Sequence, residues 1–209
     1  ARSQELSRFD VTQMNSQLQR LSERVSPPVR AAFADYGQYL DSLEMTATIK
    51  GFEPLYIQRI AQLTNKSNQF NLTTLRCSED DIRAMAGDKN DLCLCGKLVD
   101  KFGDNGIVTV VTGRQQGDVL DLTLWLMSCR VLKRGMEDAM MDTVVAEAAA
   151  RGVKTIVGHY YPTAKNAMVR EFYAQYDFAK TAEDADGNTE WTLDVAAYTP
   201  KHPHMKIER

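Results

Sequence analysis

Residues 124–137 hold the residue types best suited to chemistry in this chain. A basic loop, 128–134, leads from an apolar run ending at Met127 into a helix that opens after Gly135. Free N–H groups and the positive dipole end make a helix N-terminus attractive to anions. Arg130, Lys133 and Arg134 add charge to the same spot. Met127, Ser128, Arg130, Val131, Leu132, Lys133, Arg134, Gly135 and Met136 therefore form a candidate cradle for a phosphorylated ligand. The plain alternative is a solvated basic turn. Cys129 lies inside the loop, where such surroundings favour the nucleophilic thiolate. A small inert residue at a strand end is the alternative for it.

His159 ends the next apolar strand. If the two strands are parallel neighbours, His159 approaches Cys129 and could serve as its base. A polar surface histidine fits as well. Asn166 and Tyr173 stand seven residues apart, hence on one face of the helix expected over 163–176. Tyr173 could donate a proton to a leaving thiolate, or simply pack in the core beside Phe172. The amide- and hydroxyl-rich stretch 62–74 includes Asn68, Gln69, Asn71 and Thr73. It suits polar substrate recognition or hydrogen bonding within the loop equally.

The elements that must position these residues can be read from periodicity. Val11, Met14, Leu18, Leu21 and Val25 recur at helical steps, as do Val29, Phe33, Tyr36, Leu40 and Leu43 beyond Pro27-Pro28. Residues 1–45 thus read as a helical hairpin. From residue 46 the pattern changes to β-α-α-β-β-β-α-β-α-β-β, which fits one mixed sheet with helices on both faces. Ser78 and Asp81 predict a helix N-cap. Gly152 falls where a C-terminal cap belongs. Asn105-Gly106 predicts the turn of a hairpin, and residues 116–118 predict another. Residues 46–196 form the main domain. The polar tail, 197–209, reads as extended or disordered, and its His202 and His204 as incidental.

Composition narrows the class. The chain has 209 residues, with 25 Lys+Arg against 28 Asp+Glu and a net charge of −3. No positive excess waits for phosphates, so a nucleic-acid partner is not expected. No apolar run reaches the roughly 18–20 residues that cross a bilayer, and the first residues lack the apolar stretch of a signal peptide. A cytoplasmic protein without membrane association is the expectation. The 4 cysteines are too few for a disulfide framework. Cys93 and Cys95 lack further ligands at metal-binding spacing, so no metal site is expected. The turn at 184–188 lacks the closing Glu of a calcium loop.

The element order resembles the GNAT acyltransferase fold, an α/β (α+β) arrangement. Within it, Asn166 and Tyr173 match positions that serve the donor thiol. More closely, residues 36–195 resemble the C-terminal half of FkbH-like proteins. The resemblance is carried by YLDSLEM (39–45), QLTNKSNQFNLTT (62–74), FGDNG (102–106), LMSCRVLKRGME (126–137) and PTAKN (162–166). It implies transfer of a small glyceryl-type acyl group, as a thioester, onto an acyl carrier protein. Cys129 would be the relay, with the basic loop and Asn166 on the acyl donor, and Asp104 and Asn105 joining the substrate-binding set. It implies no tightly bound cofactor: the phosphopantetheine arm of a carrier protein, or coenzyme A, is a co-substrate, and the donor a small acyl phosphate or acyl-CoA. A HAD-type phosphatase domain would lie N-terminal to this piece, as the opening Ala1 suggests. The alternatives are an acetyl-CoA-dependent N-acetyltransferase and an inactive carrier-protein docking module. Glu137 departs from the usual GNAT phosphate loop, because a carboxylate in the first helical turn both satisfies the dipole and repels an anion. The FkbH-like pattern shares that Glu.

Overall fold

The computed structural model describes residues 36–209. The helix expected over 10–25 and the start of the next lie outside the described residues. The chain divides into two units, 1–42 and 43–209. In the first, helix α1 spans Tyr36–Asp41 and ends where the Ser42 hydroxyl donates to the Tyr39 carbonyl at 2.7 Å.

The second unit is built on a nine-stranded sheet. Its strands are β1 (Thr46–Gly51), β2 (Phe70–Asn71), β3 (Asp91–Asp100), β4 (Gly103–Gln116), β5 (Val119–Met127), β6 (Thr155–Tyr160), β7 (Ala179–Glu183), β8 (Thr189–Asp194) and β9 (Lys206–Glu208). The spatial order is β7-β8-β6-β5-β4-β3-β1-β9, with β2 paired to β5 off that path. Two pairings are parallel, β5 with β6 and β1 with β9. Helices α2 (Ile57–Lys66), α3 (Glu79–Gly87) and α4 (Met136–Ala150) cover the two faces. Ile57, Ile60 and Leu63 of α2 and Ile82 of α3 join Cys95, Val110, Leu124 and Leu126 in one apolar cluster. A side chain at Gly96, the next residue of β3, would meet Met136 and Met140 of α4. Successive strand residues face opposite ways, so α4 lies on the other face. This is the mixed α/β architecture expected.

Local signals held where they were self-contained. The Ser78 hydroxyl accepts from the Asp81 N–H at 3.1 Å and the Asp81 carboxylate accepts from the Ser78 N–H at 2.7 Å, a reciprocal cap on α3. Gly152 follows α4 with φ +75°. Three expectations are corrected. The hairpin turns at Lys101-Phe102, not at Asn105-Gly106, because Asp100 Oδ1 takes the N–H groups of Phe102 and Gly103 and Asp100 pairs with Gly103. The helix expected over 163–176 is instead two 3₁₀ turns, Ala167–Val169 and Tyr173–Tyr176. Its backbone bonds step by three residues, as from the Phe172 N–H to the Val169 carbonyl at 3.1 Å. The tail is placed rather than loose. Asp142 on α4 accepts the Tyr198 hydroxyl at 2.6 Å and the backbone N–H groups of Lys201 and His202, and β9 then pairs with β1.

Candidate active site

The site grows out of a short parallel pairing. Strands β5 and β6 stand side by side only from Val119 to Asp121, opposite Thr155 to Val157. Beyond Asp121 the next pairing on that edge of β5 is with β2: Phe70 stands opposite Met127 and Asn71 opposite Leu126. The Leu72 N–H donates to the Trp125 carbonyl at 3.0 Å, and the Tyr161 N–H donates to the Leu72 carbonyl at 2.8 Å. The chain thereby laces its own segment into the seam where β5 and β6 part.

Asn166 secures this lacing. It is fully buried. Its Nδ2 donates to the carbonyls of Asn71 and Tyr161, both at 2.9 Å. Its Oδ1 accepts the Thr163 N–H at 2.7 Å, with the Tyr160 hydroxyl at 3.4 Å. An amide offers two donors and one acceptor oxygen, so this side chain is spent inside the protein and has nothing left for an acyl donor. Asn71 is likewise buried, its Nδ2 on the Ser67 carbonyl and its Oδ1 on the Thr74 N–H. The Thr73 hydroxyl donates to the Thr123 carbonyl at 2.8 Å. Arg76 takes the Asn68 Oδ1 at 2.6 Å. The polar stretch 62–74 therefore bonds largely to itself and the sheet, the second of its two readings; Gln69 is exposed.

At the mouth of the seam, His159 Nε2 and Asp121 Oδ1 are 2.7 Å apart. Val157, two residues before His159, stands beside Asp121, so both side chains share a face. The His159 side chain is 19% and that of Asp121 49% exposed, open enough to meet a ligand. Thr123 neighbours them as the extra residue of a bulge, since Thr112 pairs with Leu124 and Gly113 with Leu122. An ionised Asp121 can only accept, so in the neutral imidazole the hydrogen resides on Nε2 and Nδ1 carries the lone pair.

The expected Cys129–His159 pair is replaced by this one. Continued two residues past its last pair, Asp121 with Val157, the parallel register sets His159 level with Thr123. Four further residues of strand to Met127 already carry β5 about 13 Å past that level. Cys129 opens a 3₁₀ turn beyond the strand and is exposed.

Tyr173 is buried, not presented to a substrate. Its ring lies directly over Gly158, where any Cβ would collide with it. Burial pushes its hydroxyl well above the ordinary tyrosine range, and that hydroxyl meets the backbone of His159. It props His159 from behind. Nearby, the Trp125 indole N–H is buried without a hydrogen-bond partner, its ring edge-on to Phe172 at 5.0 Å.

The basic loop is arranged differently from a phosphate cradle. The Glu137 carboxylate folds back into it, accepting the Lys133 N–H at 3.0 Å; burial pushes its carboxyl above the ordinary range, against the opposing pull of the backbone N–H groups of Glu137 itself, Lys133 and Gly135. Arg134 Nη1 reaches Asp100 at 2.7 Å. Arg130 donates to Ser128 Oγ and to the Asn105 carbonyl. Val131 and Met136 are core residues, and so is Met127. Leu132 is half-buried. Asp104 is salt-bridged to Lys97 at 2.7 Å, and the Asn105 amide donates to Asp100 at 3.3 Å.

A central mixed sheet whose two middle strands separate past a short parallel pairing, with a helix leading from one to the next, is the fold of the GNAT acyltransferases. Among solved structures the chain is similar to the ribosomal-protein-S18-alanine N-acetyltransferase of Escherichia coli, with 15% identity and a TM-score of 0.54 over 71% of this chain and 94% of that one. It is similar to the GNAT domain of S. lividans PAT, with 15% identity and a TM-score of 0.54 over 70% and 89%. It also resembles spermidine N-acetyltransferase from Vibrio cholerae in complex with CoA and spermine, with 9% identity and a TM-score of 0.53 over 72% and 96%. None of these three is an FkbH-like protein. No family model matches the chain, and no curated protein matches it. Among the described residues no helix is long and apolar enough to cross a membrane, and no cluster of His, Cys, Asp and Glu could hold a metal ion.

Proposed function

We propose that this chain is an acyltransferase that moves a small acyl group from a thioester donor to a nucleophile bound at the mouth of the β5/β6 seam, with His159 as general base. The observation that carries this reading is the His159–Asp121 contact at 2.7 Å on the open face of a GNAT sheet. Asp121 fixes the tautomer, and Nδ1 of His159 takes the proton as the nucleophile attacks the thioester carbonyl carbon. The carbon–sulfur bond breaks, and the departing sulfur takes that proton back. Tyr173 acts as a positioning residue beneath the base. The similar structures support N-acetylation from an acyl-CoA, a polyamine or peptide amine being the acceptor class their names suggest.

A second reading has one observation in its favour. Glu137 fills the loop in which a nucleotide diphosphate would be expected. This favours the glyceryl-type transfer to a carrier-protein arm, with Cys129 as relay and a HAD-type phosphatase as partner.

Thiol release from acetyl-CoA and from acyl-loaded carrier protein, with spermine, an N-terminal peptide and carrier protein as acceptors, tests both. Wild type is compared with His159→Gln and Cys129→Ala. Transfer at the wild-type rate in His159→Gln overturns the base assignment, and loss of transfer in Cys129→Ala selects the relay.

A further inference from the structure

We infer that Glu137 is a specificity-determining residue: its carboxylate occupies the anion position at the start of α4 and keeps diphosphate-bearing donors out. Three independent arrangements point the same way. First, the backbone donors are taken. Lys133 (φ +62°) and Gly135 (φ +86°) both adopt left-handed backbone, which bends the loop back towards the start of α4. There it meets the Glu137 carboxylate, with the Lys133 N–H at 3.0 Å from Oε1. A second anion there would have to expel it or sit against a like charge.

Second, a cation of the loop is turned away. Arg134 ends on Asp100, whose side chain is 4% exposed and which also takes the N–H groups of Phe102 and Gly103. A buried carboxylate so engaged holds its guanidinium partner firmly, because freeing Arg134 would leave the charge uncompensated. Arg130 is directed to Ser128 and the Asn105 carbonyl.

Third, the loop is roofed. The tail runs back along α4 from Asp142, which holds Lys201 and His202, to Gly135. A Cβ at Gly135 would lie 3.3 Å from Pro203 and 3.6 Å from Met205. The tail then enters β9 beside β1.

Coenzyme A, present in a similar structure, is the diphosphate-bearing molecule that this arrangement would exclude. The inference rests on the acyltransferase reading in calling the excluded molecule a donor, and within that reading it selects the carrier-protein arm over an acyl-CoA. Its test is therefore equilibrium binding, which survives a failure of that reading. Calorimetry would measure coenzyme A and, separately, pantetheine against wild type, Glu137→Ala and Glu137→Gln, each first shown to melt cooperatively. Coenzyme A is expected to bind Glu137→Ala about tenfold or more tighter than wild type, since the like charge facing the diphosphate is removed. Pantetheine, which has no diphosphate, is expected to bind all three alike. Glu137→Gln keeps the side-chain shape and removes the charge. It should show a smaller gain, and it carries the test alone if the alanine variant does not fold. Equal or tighter binding of coenzyme A by wild type, relative to the variants, overturns the inference.

Discussion

Asp121 and His159 are 38 positions apart in the chain, yet their side chains meet at 2.7 Å because a three-residue parallel pairing sets Asp121 beside Val157. The proposed base of the site therefore depends on sheet register as much as on its own imidazole.

On the proposed mechanism, His159→Gln should lower the rate of acyl transfer by about 10²- to 10⁴-fold, the usual worth of a general base. Asp121→Asn should lower it less, because the imidazole remains but its tautomer is no longer imposed. Steady-state thiol release across pH would show both. A wild-type pH profile in His159→Gln would count against the assignment.

Gly158→Ala should destabilise the fold by about 1–3 kcal/mol through overpacking, since the new methyl meets the Tyr173 ring. Tyr173→Phe should keep the ring on Gly158 and lose only the hydroxyl under His159. Thermal melts read the first effect. A kcat loss at unchanged KM reads the second.

Asn166→Ala removes a buried side chain that bonds two carbonyls and a backbone N–H. Leaving those groups unsatisfied should cost about 1–3 kcal/mol for each one that water cannot reach. Denaturant titration should show the midpoint falling. Amide exchange should speed up at Leu72 and Tyr161, the two N–H groups of the lacing.

Asp100 supplies a pH test. Burial opposes its charge, but the N–H groups of Phe102 and Gly103, the Asn105 amide and Arg134 outweigh that and hold its carboxyl below the usual range. A depressed folded-state pKa stabilises the protein above the unfolded value of about 3.9 and loses that contribution as pH falls through the folded value. Asp100→Asn should melt lower than wild type at pH 7, with the gap narrowing at acidic pH. Melting curves at stepped pH would check the sign.

The four cysteines should separate by reactivity. Burial pushes the Cys93 and Cys95 thiols up to about 12, and burial with the neighbouring Asp81 raises Cys77. Cys129 is exposed. A disulfide reagent should therefore label one thiol rapidly in the native protein and none in Cys129→Ala.

What the sequence made legible was local. The Ser78–Asp81 cap and Gly152 need only their own neighbours, and both stand as read. The mixed sheet with covered faces also followed from pattern alone. The partner of His159 did not: alternation places it on a face but cannot say how far β6 slides along β5. The residues from 163 to 176 carry a helical apolar stripe, yet packing Tyr173 over Gly158 and locking Asn166 onto Asn71 favoured tighter turns. The tail reads as extended or disordered from its polar sequence, and the extended reading is the one β9 meets. It is held by a carboxylate on α4 that accepts backbone N–H groups, a device without an apolar signature. The notable Glu137 was visible as a departure from the phosphate-loop pattern, but only its folded-back geometry shows which donors it has taken.

The lacing of the seam also has a history within each molecule. Asn71 and Asn166 are 95 residues apart in the chain. Long loops must close before such contacts are rewarded, which slows folding. During synthesis, β5 can pair with Phe70–Asn71 once it emerges, but the Asn166 amide that ties Asn71 to Tyr161 arrives only later. Until then the seam lacks that tie. A sealed seam is thus a late event in folding, and the step at which chaperone dependence of this protein should be sought.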